Sequence, residues 1–243
     1  MTWRNLTNRF LSSLFEPPCA ACSTVLSHPL DGAVCDLCWT SIAASAKAMA
    51  ARRTPGSPCE RVDGGHAVDR AAAVGEYEGR LRDIIHALKY ERRRSIAPPL
   101  GARMRTAGAD LLRGADVVVP VPLHPRRERS RGFNQADDLA RVLGLPVHPL
   151  LRRVRFTTSQ IELPAEERQR NVQHAFALSA LPGPAKAKAG HHIDASPEGL
   201  VIVLVDDVST TGATLEACAR VLKAAGVKEV RALTAARVAT ARR

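Results

Sequence analysis

The densest chemistry in the chain lies in the stretch VIVLVDDVSTTGATLEACARVLKAAG, residues 201–226. An apolar run ends on Asp206 and Asp207, followed by Ser209, Thr210, Thr211, Gly212, Ala213 and Thr214 and then a helix beginning near Ala213. In open α/β sheets ligands sit beyond the carboxyl ends of the strands. Two carboxylates there can hold vicinal hydroxyls or a divalent cation. The hydroxyl-rich turn adds Gly212, which lets backbone curl closely around a ligand. The amides opening the helix make an anion site favoured by the helix dipole. Hydroxyl-binding acids beside a phosphate-binding turn describe a cradle for a ribose 5-phosphate. A P-loop is excluded, because GxxxxGK[ST] is absent. A phospho-receiver would carry its acceptor aspartate on another strand and has no use for STTGAT. A purely structural turn gains little from two adjacent charges at a buried strand end.

A second constellation is C-x2-C-x12-C-x2-C, formed by Cys19, Cys22, Cys35 and Cys38. Two residues between cysteines aim both thiolates at one ion, and two such knuckles complete a tetrahedral zinc site. Four thiolates leave no open position for a substrate, so the metal would be structural. Disulfides are the alternative, and a reducing compartment disfavours them. Cys59 has no nearby partner cysteine, and His66 is a weak companion for it. Cys218, inside the helix after the aspartates, reads as a small buried apolar residue.

These residues need elements to position them. The 243 residues are long enough for one domain plus a small module, with 45% hydrophobic and 4% aromatic residues. Trp3, Leu6, Phe10, Leu14 and Phe15 recur at helical spacing, predicting an N-terminal amphipathic helix that docks internally or on a partner. It lacks the continuous apolar core of a secretory signal, and no stretch is long enough for a membrane span, so a cytoplasmic protein is expected. The expected boundary lies near residue 62: residues 1–62 carry the helix and four-cysteine ribbon, residues 63–243 a second domain. There strands alternate with helices, predicting an open, mostly parallel α/β sheet. Expected strands are RAAAVGEY (70–77), ADVVVPVPLH (115–124), a short one at 146–151, the quoted stretch, and EVRALTAARV (229–238); helices are expected at 79–93, 97–112, 134–143 and after Gly212. Residues 179–199 have the composition of a surface loop.

Lys plus Arg outnumber Asp plus Glu by 35 to 24, a net charge of +11. That excess, mostly arginine, points to an anionic partner such as a phosphorylated metabolite, a nucleic acid or an acidic surface, or else to a basic surface alone.

VLVDDVSTTGAT resembles the phosphoribosyl diphosphate (PRPP) motif of type I phosphoribosyltransferases. With VVVPVPLHPRRERSRGFNQA at 117–136, TTSQ at 157–160, ERQRNVQHAF at 167–176 and the four-cysteine module, the chain resembles the ComF/GntX family. That family joins a zinc-ribbon module to a phosphoribosyltransferase-type domain and is named for competence and DNA utilisation. Where many relatives carry a second pair of knuckles, only Cys59 stands here. The resemblance implies that Asp206 and Asp207 hold the ribose hydroxyls and that Ser209 to Thr214 wrap the 5-phosphate. It singles out Arg131, Gly132, Phe133, Asn134 and Gln135 in a loop against the diphosphate, with Arg131 catalytic beside the two aspartates. Arg126, Arg127 and Arg129 of the same loop suit phosphate oxygens or are simply solvated. Residues 152–171, with Arg152, Arg153 and Arg155, would form a mobile hood, in which Thr158, Gln160, Arg168 and Asn171 match the family. Lys89 matches it too, although a lysine at a helix end is also a favourable terminal charge.

The expected activity is Mg²⁺-dependent transfer of a phosphoribosyl group from PRPP to a nitrogen acceptor that no residue here identifies. The alternative is a non-catalytic DNA-uptake factor of competence type that binds single-stranded DNA or a DNA-processing partner. The scattered aromatic residues weigh against a base-stacking platform.

Overall fold

Four apolar strands build a parallel sheet with one antiparallel edge. They are β2 (Arg70–Glu76), β3 (Val117–Pro120), β6 (Val201–Ser209) and β7 (Glu229–Arg237), with the short β1 (Glu60–Arg61) at the edge, in the order β1-β2-β7-β6-β3. β1 is antiparallel to β2, and the other neighbours are parallel. A separate antiparallel ribbon pairs β4 (Leu151–Arg153) with β5 (Phe176–Leu178). The structure, a computed structural model, describes residues 17–51, 60–61, 66–155, 174–179 and 196–239, together with Trp3, Thr7, Asn8, Leu11, Ser12 and Phe15.

Strand residues alternate between two apolar layers, as the period of two requires. Val203 and Val205 of β6, Val118 of β3 and Leu233 of β7 face one layer; Ile202, Leu204, Val117, Val119, Val230 and Ala232 face the other. The first layer holds α1 (Asp36–Ala51), α2 (Gly79–Tyr90), α3 (Ala97–Ala107) and α6 (Gln135–Ala140). The second holds α7 (Ala213–Ala224) and the ribbon. Cover on both faces is what a parallel sheet of near-continuous apolar strands needs.

α2 buries Leu81, Ile84, Ile85 and Leu88, an i, i+3, i+4, i+7 stripe, and turns Arg82, His86 and Tyr90 outward. The helix expected at 97–112 is two helices, α3 and α4 (Ala109–Leu112). Gly108 separates them, and a Cβ there would stand 2.6 Å from Leu233 Cδ2. The strand expected at 115–124 ends at Pro120, with one further bond to β6 from Val121 N to Val205 O at 2.9 Å. Between 146 and 151 there is only a bridge from Val147 to Val118 before β4 begins.

The cysteine module is not set apart from the sheet. Cys19, Leu26, Val34, Cys38, Trp39 and Ile42 belong to the same apolar cluster as Ile84, Ile85 and Leu100. Polar ties reinforce the junction: Arg93 Nη1 donates to Pro18 O at 3.0 Å, and Arg80 Nη1 donates to Ala21 O. Of the N-terminal segment, Trp3, Thr7, Asn8, Leu11, Ser12 and Phe15 are helical; Leu6, Phe10 and Leu14 lie outside the described residues. Asn8 is buried, and its Oδ1 accepts from Leu30 N at 2.9 Å, whereas Trp3 and Phe15 are exposed.

Candidate functional site

The carboxyl ends of β2, β3 and β6 surround a cavity of about 620 Å³. Asp206, Asp207, Ser209, Thr210, Gly212, Ala213 and Thr214 line one side, and Arg127, Arg131, Gln135 and Arg153 join them. Thr211 is not in the lining; its Oγ1 accepts from Ala213 N at 3.4 Å, as a local turn bond. Gly212, at φ 75°, is the N-cap of α7. Its left-handed backbone turns the strand end into the helix, whose first residues Ala213 and Thr214 border the cavity.

Asp206 and Asp207 do not stand side by side. β6 continues past them to Ser209, paired with β7 through Ser209↔Arg237, so both acids lie within extended backbone. Alternation turns Asp207 toward Lys89 of α2 and Gln135 of α6, while Asp206 points to the other side of the strand, and both border the same cavity. Asp207 is 4% exposed. Its Oδ1 lies 2.8 Å from Lys89 Nζ, and its Oδ2 accepts from Gln135 Nε2 at 2.6 Å. Asp206 Oδ1 accepts from the Asp207 amide at 2.8 Å. Burial, and then the neighbouring Asp207 charge, push the Asp206 carboxyl up to about 7. Burial works against the charge on Lys89, but Asp207 more than offsets it, and the lysine pKa is raised.

The segment expected as an arginine loop folds as the short helix α5 (Pro125–Arg131). His124 Nδ1 caps it by accepting from Arg126 N at 3.2 Å, Pro125 occupies its first turn, and Gly132 ends it at φ 82°. Helical spacing puts Arg127 and Arg131 on one face, i and i+4, toward the cavity, and leaves Arg126 and Arg129 exposed. The Arg131 guanidinium lies 5.1 Å from the Tyr90 ring centre.

Gly132, Phe133 and Asn134 line a neighbouring hollow of about 500 Å³. Asn134 has a structural task there: its Oδ1 accepts from Ala136 N to cap α6, and its Nδ2 donates to Val121 O. Arg153 borders both hollows; burial, then Arg127, lower its pKa. The expected hood residues Thr158, Gln160, Arg168 and Asn171, like Cys59, lie outside the described residues. His66 is exposed, 3.7 Å from Glu216 Oε2, and Cys218 is buried in α7. Sequence reasoning missed Arg82, Tyr77 and Tyr90 as cavity residues. The signal was available on α2, where Arg82, His86 and Tyr90 recur every four residues opposite the apolar stripe.

The four cysteine sulfurs all lie within 4.8 Å of one another, with Cys19–Cys38 at 3.9 Å and Cys22–Cys35 at 3.7 Å. Sulfurs about 2.3 Å from a tetrahedral zinc ion stand about 3.8 Å apart, so the cluster fits structural zinc. Cys19 Sγ also accepts from Ala21 N and Cys35 N, an orientation suited to a metal-bound thiolate.

A family model described as a phosphoribosyl transferase domain matches residues 115–243. DNA utilization protein YhgH of Escherichia coli (strain K12) is 35% identical over 174 residues, covering 66% of this chain and 69% of the relative. Competence protein F of Haemophilus influenzae is 30% identical, covering 67% and 70%. Competence protein ComFC of Bacillus subtilis (strain 168) is 29% identical, covering 91% and 83%. Among solved structures, an allosteric regulatory enzyme of purine biosynthesis aligns at 20% identity with a TM-score of 0.35, covering 58% of this chain but only 26% of that one.

Proposed function

This chain belongs to the phosphoribosyl transferase domain family, with the ComF-type competence and DNA utilization proteins as relatives, and on that premise we propose that its cavity binds PRPP and transfers the phosphoribosyl group to a nitrogen acceptor. One observation carries this reading. The strand acids, the turn opening α7 and three arginines from α5 and β4 all line a single cavity.

In this reading the 5-phosphate rests on the amides that open α7 and on Ser209, Thr210 and Thr214. Acid at the end of β6 holds the ribose hydroxyls. Arg127, Arg131 and Arg153 face the diphosphate. The bond between the anomeric carbon and the diphosphate oxygen breaks with its electron pair leaving on the diphosphate. The ring passes through an oxocarbenium-like state, and an acceptor nitrogen gives its lone pair to the anomeric carbon and loses a proton. The arginines stabilise charge gathering on the leaving group, the acid charge gathering on the sugar.

The donor set does not fit a magnesium ion held by the protein. The Lys89 ammonium, 2.8 Å from Asp207 Oδ1, already compensates that charge, and Asp207 Oδ2 and Asp206 Oδ1 each accept a protein hydrogen bond. Magnesium therefore belongs to the diphosphate of the ligand, where it would help neutralise the leaving group.

Calorimetric titration of zinc-loaded protein with Mg-PRPP tests the reading. Saturable binding, abolished in the Asp206→Asn/Asp207→Asn double variant, is expected, followed by diphosphate release in a screen of amines and bases. No binding by folded protein would sink it.

A second reading has its own observation. Arg126 and Arg129 are exposed on α5 and do not line the cavity, and relatives carry the names DNA utilization protein and Competence protein. A basic face for single-stranded DNA, in a protein that need not turn over PRPP, would show binding that weakens steeply with salt. Among the described residues no helix is long and apolar enough to cross a membrane.

A further inference from the structure

We propose that the hollow beside the larger cavity is the acceptor subsite, and that the acceptor it takes is a neutral, planar heteroaromatic ring of the nucleobase kind. The acceptor role rests on the phosphoribosyl-transfer reading; binding of the ring does not.

The segment RGFNQ, Arg131 to Gln135, is divided between the two spaces. Arg131 and Gln135 line the larger cavity, whereas Gly132, Phe133 and Asn134 line the hollow of about 500 Å³. That volume is ordinary for a small-molecule site, which runs from about 300 to 1,000 Å³. Pro122, Leu123 and Arg153 border both spaces, so a ligand in one stands next to a ligand in the other.

Charge distinguishes them. In the larger cavity Arg82, Lys89, Arg127, Arg131 and Arg153 outnumber Asp206 and Asp207, which suits a polyanion. In the hollow Arg94, Arg152 and Arg153 are matched by Glu128, Asp137 and Asp138, so a second polyanion gains little there. The apolar part of the wall is stiff. Phe133 and Leu151 are buried, and Pro120, Pro122, Pro125 and Pro149 offer ring faces without N–H groups. A planar ring packs against such faces, whereas a flexible aliphatic amine leaves them uncovered.

The polar groups are already held in place. Arg94 grips Asp138 through both oxygens, Nε to Oδ2 at 2.8 Å and Nη2 to Oδ1 at 2.6 Å, and its guanidinium lies 5.1 Å from the Phe133 ring centre. Asp137 Oδ2 accepts from Arg141 Nε at 2.9 Å. Carboxylate oxygens bonded in this way keep further lone pairs for ring N–H groups, and guanidiniums supply donors for ring nitrogens or carbonyls. A site that offers both selects a ring that carries both. In the transfer, a ring nitrogen gives its lone pair to the anomeric carbon, the carbon–oxygen bonding pair leaves on the diphosphate, and the ring N–H proton passes to water.

The test uses zinc-loaded full-length protein and the fluorescent base 2-aminopurine, free and within a short single-stranded oligonucleotide, with and without Mg-PRPP. Saturable binding of the free base is expected under both conditions. It should weaken at least tenfold in Arg94→Met/Asp138→Asn and stay unchanged in Arg131→Ala. Should the double variant fail to fold, Asp137→Asn is read in its place. Binding of the oligonucleotide alone, weakened in the same variants, upholds the ring site and makes a DNA strand the source of the ring. Binding of neither probe, or binding that the hollow variants leave intact, overturns the proposal. In a second arm, heteroaromatic bases should release diphosphate from PRPP and aliphatic amines should not. Release by aliphatic amines alone, or by neither while PRPP binds, overturns the acceptor role. Absence of PRPP binding refutes the phosphoribosyl-transfer reading instead, and the 2-aminopurine titration then decides whether the hollow takes a ring.

Discussion

The Arg103 guanidinium lies 3.9 Å from the centre of the Trp39 ring, joining the last turns of α3 to the first of α1. A half-buried contact of this kind contributes about 1–2 kcal/mol. It sits in the cluster that runs from the buried Cys19 and Cys38 to Ile84 and Ile85 on α2. A zinc ion in the four-cysteine cluster would therefore support the whole structure. One metal per chain is expected by elemental analysis. A strong chelator should lower the midpoint of a single calorimetric transition by roughly 10 °C or more. Two transitions, with the upper one unmoved, would show a detachable module.

Asp206 makes stability depend on pH. Its folded pKa of about 7 stands above the ordinary value of 3.8, so folding favours the protonated form. That contribution is complete below about pH 4 and is lost as pH rises through 7. Asp206→Asn cannot ionise. Relative to the parent it should gain stability between pH 5 and 8, on the order of 2 kcal/mol. Urea denaturation at several pH values measures the difference, and a flat difference would contradict the assignment.

Gly101 is where α3 approaches the segment after α6. A Cβ there would stand 2.7 Å from Val142 Cβ, on a stiff β-branched side chain. Gly101→Ala should cost about 1–3 kcal/mol by overpacking, without changing the cavity. Gly212→Ala is the contrast. Nothing lies within 4 Å of its Cβ position, but its φ is 75°. The loss of stability should be only about 1 kcal/mol, from backbone strain. PRPP affinity should fall by at least tenfold, because the turn opening α7 is displaced.

Arg131 and Arg127 face the cavity; Arg126 and Arg129 do not. Calorimetry should show Arg131→Ala and Arg127→Ala each weakening PRPP binding by about 1.5–3 kcal/mol, as for charge-assisted bonds. Arg129→Ala should leave PRPP binding unchanged. If single-stranded DNA binds α5, Arg129→Ala should reduce that binding and its salt slope instead.

The strand–turn–helix at 201–224 is legible in the sequence because an apolar run, a glycine turn and an amphipathic stripe follow in order. The facing of Asp206 and Asp207 is not legible. It depends on how far β6 stays extended, and that is set by pairing with β7 up to Arg237. α5 was hidden for a different reason: PRRERSR has no apolar stripe, and its helix rests on the His124 cap and Pro125. The close approach of Gly108 to Leu233, 125 positions along the chain, is something no local pattern reports. The four-cysteine centre was fully legible, since its spacing is itself the geometry.

The chain has two tyrosines, Tyr77 and Tyr90, and both line the cavity. It has two tryptophans: Trp39, buried among the cysteines, and Trp3, in the open. The protein thus carries an optical label at each of its two sites without any dye. Near-ultraviolet difference absorbance should register ligand entry through the phenols, with Arg131 shifting over Tyr90. Emission from the indole of Trp39, read against Trp3→Phe, should follow metal release. The two signals separate in wavelength, so a single cuvette could follow whether ligand and metal act on each other.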